Sequence, residues 1–148
     1  MPLAILMSDK PYQLDIDQQS SFLHAIVTGP NTAETVAGYM GDIQDACNER
    51  NCHRVLIEEK LVGPRFDEME IFSLISDGAA EALGVFEAIA YIDEQQDFKV
   101  IKFAETVAVN RGIPIAVFSS VADAENWLRH RPEDAPEQDI FTREAADD

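Results

Sequence analysis

The chain has 148 residues, of which 46% are hydrophobic and 26% are charged, and this composition is ordinary for one globular domain with its own core. Its 28 acidic and 11 basic residues give a formal net charge of -17, which repels phosphate backbones and anionic lipid headgroups. The charge argues against nucleic acid as a partner and against electrostatic docking on a membrane.

The first half of the predicted fold is a β-hairpin followed by a helix. Alternating and apolar runs predict strands over residues 12–17 and 22–29, and the polar segment between them predicts their turn. Asn31 and Glu34 have the spacing of a capping box, so we expect a helix over residues 32–50. Its apolar stripe has helical spacing and consists of Val36, Met40, Ile43 and Cys47.

A buried strand and a second helix follow. The continuous apolar run over residues 53–59 is typical of a central strand that is covered on both faces. Asp67 and Glu70 form another capping-box pair, which predicts a helix that begins after Asp67 and ends near Gly84. We expect the buried face of this helix to comprise Met69, Phe72, Ile75 and Ala79.

The last third of the chain predicts two strands and two helices. Strands are expected over residues 85–93 and 113–120, with a helix over residues 97–111 between them. Pro114 favours an edge position for the last strand, and Ser120 is placed to cap a final helix. Along the helix between the strands, the apolar side consists of Phe98, Ile101, Ala104 and Ala108.

This order of elements predicts a single α/β domain with a mixed, mostly parallel five-stranded sheet and about four helices. We expect the domain to occupy residues 11–131, with a short N-terminal arm over residues 1–10. Residues 132–148 carry seven acids against one base and two prolines, which predicts a disordered acidic tail. The two cysteines and the lack of a signal-peptide pattern predict a cytoplasmic protein with reduced thiols.

No segment has the pattern of a catalytic or metal site. The three histidines do not neighbour a serine or cysteine in a recognisable catalytic setting, and the glycines form no phosphate-binding motif. Cys47, Cys52 and His53 lack the spacing of a zinc site, so we expect Cys47 to be a buried thiol without metal. Glu58 and Glu59 are successive strand residues and point to opposite faces. We therefore predict that the protein is not an enzyme and uses no cofactor.

The second half of the chain resembles a known family. The stretches FDEMEIFSLIS (66–76), AIAYID (88–93) and FAETVAVNRGIPIAVFSSVADAENWL (103–128) resemble STAS-like proteins of the SpoIIAA-like group, and the likeness covers about residues 11–130. The resemblance implies a mixed sheet backed by helices and action through protein contact. Relatives include the bacterial anti-anti-sigma factors, which are switched by phosphorylation of a serine or threonine after the third strand, and domains similar to lipid-binding Sec14-type proteins.

This chain departs from the switch pattern, because residues 53–72 contain no serine, threonine or tyrosine, and the next hydroxyl is Ser73. The resemblance still places the contact surface at the end of the third strand and in the loop that follows it. The candidate residues are Glu58, Glu59, Lys60, Leu61, Val62, Arg65, Asp67 and Glu68.

Two functions remain open from the sequence. The first is a non-enzymatic STAS-like module that contacts an unknown protein partner without a phosphorylatable serine. The alternative is the binding of an apolar, lipid-like small molecule or a peripheral membrane-associated carrier, although the charge of the chain disfavours a membrane. The sequence leaves homodimer formation open.

Overall fold

The computed structural model describes residues 10–130, so all of the predicted arm except Lys10, and the whole predicted tail, lie outside the described residues. The strands are β1 (Gln13–Gln18), β2 (Leu23–Pro30), β3 (Arg54–Val62), β4 (Ala88–Ile92) and β5 (Ile115–Val117). The helices are α1 (Ala33–Arg50), α2 (Glu68–Ala82), α3 (Phe98–Asn110) and α4 (Val121–His130). The predicted fold class is confirmed.

The sheet has the strand order β1-β2-β3-β4-β5, in which β1 is antiparallel to β2 and the other neighbours are parallel. Each crossover therefore advances by one strand in the same direction. Because such crossovers are right-handed, their three helices, α1, α2 and α3, lie on one face of the sheet. Helix α4 follows β5 and packs on β3 and β4 from the other face.

Each face of the sheet has its own buried core. Successive side chains of β3 enter the two cores in turn: Val55 and Ile57 face the three crossover helices, whereas Leu56 faces α4. Ala124 and Leu128 of α4 are fully buried against the smaller core. Both faces of the central strands are therefore covered, as the continuous apolar run over residues 53–59 predicted.

The predicted cap of α1 is wrong by one residue. Thr32 is the N-cap, and its hydroxyl accepts the Thr35 N–H at 3.1 Å. Asn31 instead bonds to the chain after β3, because its side-chain amide donates to the Pro64 carbonyl at 2.8 Å and its N–H donates to the Val62 carbonyl at 2.8 Å. A tertiary contact has replaced the local cap.

The predicted buried face of α2 is wrong in part. Met69 is 79% exposed and Phe72 is 46% exposed, whereas Ile71, Ala79 and Ala82 are buried. Apolar residues occur on more than one side of this helix, so the spacing alone fits more than one face. Phe98 at the start of α3 is likewise exposed, although it was expected in the core.

The predicted strand ends also shift. Strand β3 runs three residues beyond the predicted end at Glu59, and β4 and β5 are shorter than the predicted strands over residues 85–93 and 113–120. The extension of β3 follows from its pairing with β2, which continues to Val62 opposite Pro30.

None of the helices in residues 10–130 combines the length and the apolar character that crossing a membrane requires.

Candidate functional site

A cavity of about 480 Å³ lies between the sheet and its three crossover helices. Helix α2 packs against α3 and, less extensively, against α1, but it makes few close contacts with the sheet. The space beneath α2 is the cavity, which falls within the range of small-molecule sites.

Small residues on the surrounding helices explain why this space stays open. Gly41 and Ala37 of α1, Gly78 of α2 and Ala104 of α3 all line the cavity. A Cβ atom added at Gly41 or Gly78 would meet no heavy atom within 4 Å apart from its chain neighbours and the backbone of its own helix. Larger side chains supply most of the remaining wall and are apolar; they include Val36, Met40, Ile57, Ile71, Leu74, Ile75, Ile89 and Ile101.

Four polar side chains form one end of the cavity, which we call the carboxyl–tyrosine cluster: Tyr39, Glu59, Tyr91 and Asp93. Tyr39 reaches from α1 and donates its hydroxyl hydrogen to the buried Glu59 carboxyl. The hydroxyl of Tyr91 also bonds to Glu59. Asp93 directly follows β4, and its carboxyl shares a hydrogen bond with that of Glu59.

The cluster holds a carboxyl that titrates near neutral pH. Burial raises the pKa of Glu59 from its ordinary 4.5 to about 7; hydrogen bonds from the two tyrosines oppose the rise, and the neighbouring Asp93 adds to it. Burial also raises the pKa of Asp93, and it raises the pKa of both tyrosines well above 10. The tyrosines therefore remain neutral donors, while Glu59 can either donate or accept a hydrogen bond.

Arg65 approaches the cluster from the loop after β3. Its guanidinium donates to the Leu61 carbonyl at 2.8 Å and to the Gly63 carbonyl at 3.1 Å. Its Nη1 lies 3.8 Å from a carboxyl oxygen of Asp93, but this buried nitrogen has no hydrogen-bond partner in the described part of the chain. The side chain thus lends positive charge to the cluster and keeps one donor unused.

The residues predicted as one contact surface lie in three places. Glu59 and Leu61 are buried on the cavity side of β3, and Arg65 lines the cavity. Glu58 lies on the opposite face, where its carboxyl is 2.5 Å from the His24 ring. The remaining predicted residues are exposed around the loop: Lys60, Val62, Asp67 and Glu68.

Sequence reasoning included Glu59 but missed its three partners. Tyr39 lies on a helix that was read only for its apolar stripe, and Asp93 was read only as a strand end. One signal was available, because the strands predicted over residues 53–59 and 85–93 end at Glu59 and Asp93, and the ends of neighbouring parallel strands meet at one edge of a sheet. In the structure the pairing of β3 with β4 runs to Glu58 and Ile92, one residue before this pair. The prediction that Glu58 and Glu59 point to opposite faces is confirmed.

Within residues 10–130 no three His, Cys, Asp or Glu side chains are grouped closely enough to hold a metal ion. Cys47 is buried, as predicted, and burial with a contribution from the nearby Cys52 raises the pKa of its thiol to about 11. A thiol with a raised pKa is a poor nucleophile and a poor metal ligand at neutral pH.

Solved structures confirm the predicted resemblance of the fold to STAS/SpoIIAA-like domains. The structure resembles an anti-sigma factor antagonist from Mycobacterium paratuberculosis with a TM-score of 0.50 and 11% identity, over 82% of this chain and 97% of that one. An uncharacterized protein from Shewanella loihica with a SpoIIAA-like fold gives a TM-score of 0.49 and 17% identity, over 79% and 93% of the two chains. No protein-family model and no curated protein matches the sequence.

Proposed function

We propose that this protein is a non-enzymatic STAS-fold module that binds an apolar small molecule in the cavity beneath α2. The cavity carries this proposal, because it is large, mostly apolar, and has a few polar groups that converge at one end. Sequence reasoning ranked protein contact first and apolar binding second. We place apolar binding first because the cavity supports it.

A neutral apolar dye, Nile red, tests the proposal, and Gly41 offers a matched pair of variants. Gly41 lines the cavity, and a Cβ added there meets open space. Gly41→Leu adds an isobutyl group at this wall, and Gly41→Ala adds a single carbon at the same point. Both changes should raise helix stability, since glycine costs about 0.5–1 kcal/mol in a helix interior relative to alanine.

We expect the wild-type protein and Gly41→Ala to bind Nile red with similar affinity, measured by the rise in dye fluorescence. Gly41→Leu should bind it at least about tenfold more weakly, because the leucine occupies cavity volume that burial of the dye requires. Thermal unfolding of both variants shows whether the fold is kept. Equal dye binding by all three proteins, or none by the wild type, would contradict the proposal.

Protein contact is the second candidate, and exposed apolar side chains at the start of α2 favour it. Val62, one of the residues that the sequence singled out, is 65% exposed at the end of β3. Met69 and Phe72, which were expected to be buried, are 79% and 46% exposed in the first turns of α2. Clustered exposed apolar residues mark interaction surfaces. An anti-sigma factor antagonist has this fold, which is compatible with such a role. We infer that any such contact lacks a serine switch, since residues 53–72 contain no hydroxyl side chain.

Affinity capture with paired variants tests this second function. Met69→Lys should abolish capture of a partner that the wild-type chain retains, because it places a charge in the apolar surface. Phe98→Ser changes an exposed apolar residue at the start of α3, outside the candidate segment, and should retain the partner. A partner that binds all three proteins equally would exclude this surface.

A further inference from the structure

The charged groups that line the cavity are mostly acidic. Among the described lining residues Arg65 is the one base; it binds two main-chain carbonyls and lies beside Asp93, and its Nη1 keeps one donor without a hydrogen-bond partner. Glu105 is paired with Lys102 at 2.7 Å and accepts the Val117 N–H at 2.8 Å. The acids in the lining are Glu59, Asp77, Glu81, Asp93 and Glu105.

This arrangement discriminates between ligand headgroups. A carboxylate or phosphate entering the polar end could reach the unused Nη1 donor of Arg65, but it would also lie against Glu59 and Asp93, and burying these like charges together is costly. An ammonium group supplies three donors and a positive charge to the same two carboxyls. Hydrogen bonds in which both partners are charged are the strongest of those available here.

We propose that the cavity selects an apolar molecule that carries a positively charged amine, and that Glu59 and Asp93 bind the amine. The inference rests on the proposed function, because the site is the cavity itself and the acids define the class of ligand that it takes. The two tyrosines keep their hydroxyls on Glu59 and orient its carboxyl, while the apolar wall buries the hydrocarbon part.

Binding of the amine should strengthen as the pH rises through 7. The groups that face Glu59 are Tyr39 from α1, Tyr91 from β4 and Asp93 directly after β4. Arg65, from the loop after β3, lies beside Asp93. The tyrosines stay neutral in this range because burial raises their pKa well above 10, and an alkylamine stays protonated as lysine does. With a pKa of about 7, the ionised fraction of Glu59 increases about tenfold between pH 6 and pH 8.

Three probes with one chain length and different headgroups test the proposal: decylamine, decanol and decanoate, each used to displace Nile red. We expect decylamine to bind about tenfold more tightly than decanoate at pH 8, with decanol between them. The displacement assay is repeated at high salt, which screens the attraction of decylamine to the exposed acidic surface. Binding that persists at high salt is binding in the cavity.

Glu59→Gln and Glu94→Gln form a matched pair, because both remove one acid but Glu94 is exposed and does not line the cavity. Glu59→Gln should weaken decylamine about tenfold and abolish its pH dependence, while decanol is unaffected. Glu94→Gln should behave as the wild type. If Glu59→Gln does not fold, the ranking of the three probes on wild-type protein at pH 6 and pH 8 decides the matter.

The outcomes separate the two proposals. Decanoate binding as tightly as decylamine would overturn the amine inference and leave the cavity as a binding site for apolar molecules. Decylamine binding that is equal in the wild type and Glu59→Gln would also overturn it. Failure of wild-type protein to bind Nile red or any decyl probe would overturn the proposed function, and the amine inference with it.

Discussion

Replacing Glu59 by glutamine should change how the stability of the protein depends on pH. The pKa of Glu59 rises from 4.5 in its ordinary state to about 7 in the fold, chiefly because the side chain is only 6% exposed. As the pH rises, the Glu59 carboxyl ionises at a lower pH in the unfolded chain than in the folded protein. Between the two pKa values unfolding therefore releases a proton, and unfolding becomes more favourable as the pH rises. The shift corresponds to about 3 kcal/mol of stability that is present below about pH 4.5 and lost by about pH 7.

Glutamine has nearly the shape of a protonated glutamate. Its side-chain carbonyl can accept from Tyr39, and its amide can donate to Asp93. The variant should therefore match the wild type below about pH 4.5 and exceed it by up to about 3 kcal/mol near pH 8, where wild-type Glu59 is ionised. Removing a buried charge while keeping its hydrogen bonds is the physical reason.

Urea denaturation between about pH 4 and pH 8, followed by far-UV circular dichroism, measures this difference as free energy of unfolding. Glu94→Gln makes the same charge change at an exposed position and serves as the control. The reasoning would be refuted if the stabilities of wild type and Glu59→Gln changed in parallel with pH.

Three further predictions concern single positions. Asp67→Ala should cost about 0.5–2 kcal/mol in chemical denaturation because it removes the N-cap of α2, whereas Glu68→Gln should leave stability unchanged. Gly29→Ala should lower the melting temperature, because Gly29 has φ of 140° and an added Cβ would lie 2.9 Å from the Tyr12 Cα. Cys47 should carry no metal, so elemental analysis that finds stoichiometric zinc, lost in Cys47→Ser, would show the opposite.

Features that depend on one short segment, such as the caps of α2 and α4, could be predicted from the sequence alone. The Asp67–Glu70 capping box forms as predicted, with the Glu70 N–H donating to Asp67 at 2.8 Å and the Asp67 N–H donating to Glu70 at 2.9 Å. Ser120 likewise accepts the Asp123 N–H at 3.2 Å at the start of α4. The order of such elements, with right-handed crossovers, predicts the sheet.

The site could not be predicted in the same way, because its groups come from separate elements. The carboxyl–tyrosine cluster requires α1, β3 and β4 to be placed together, and the cavity requires α2 to stand away from the sheet. The spacing of apolar residues in α2 allowed more than one buried face, and the structure exposes Met69 and Phe72. Hydrophobic periodicity indicates that a helix has a buried side but carries no information about the space beneath it.

Native mass spectrometry of the purified protein tests the central claim most directly, because it detects a bound small molecule without assuming its identity. The account predicts a wild-type mass that exceeds the chain mass by that of one small molecule, which is released on denaturation and recovered in the organic extract. Gly41→Ala should retain this molecule, and Gly41→Leu, with the cavity filled, should lose it. A wild-type protein that has only the chain mass, and that acquires no added mass when mixed with decylamine or decanol, would contradict the account.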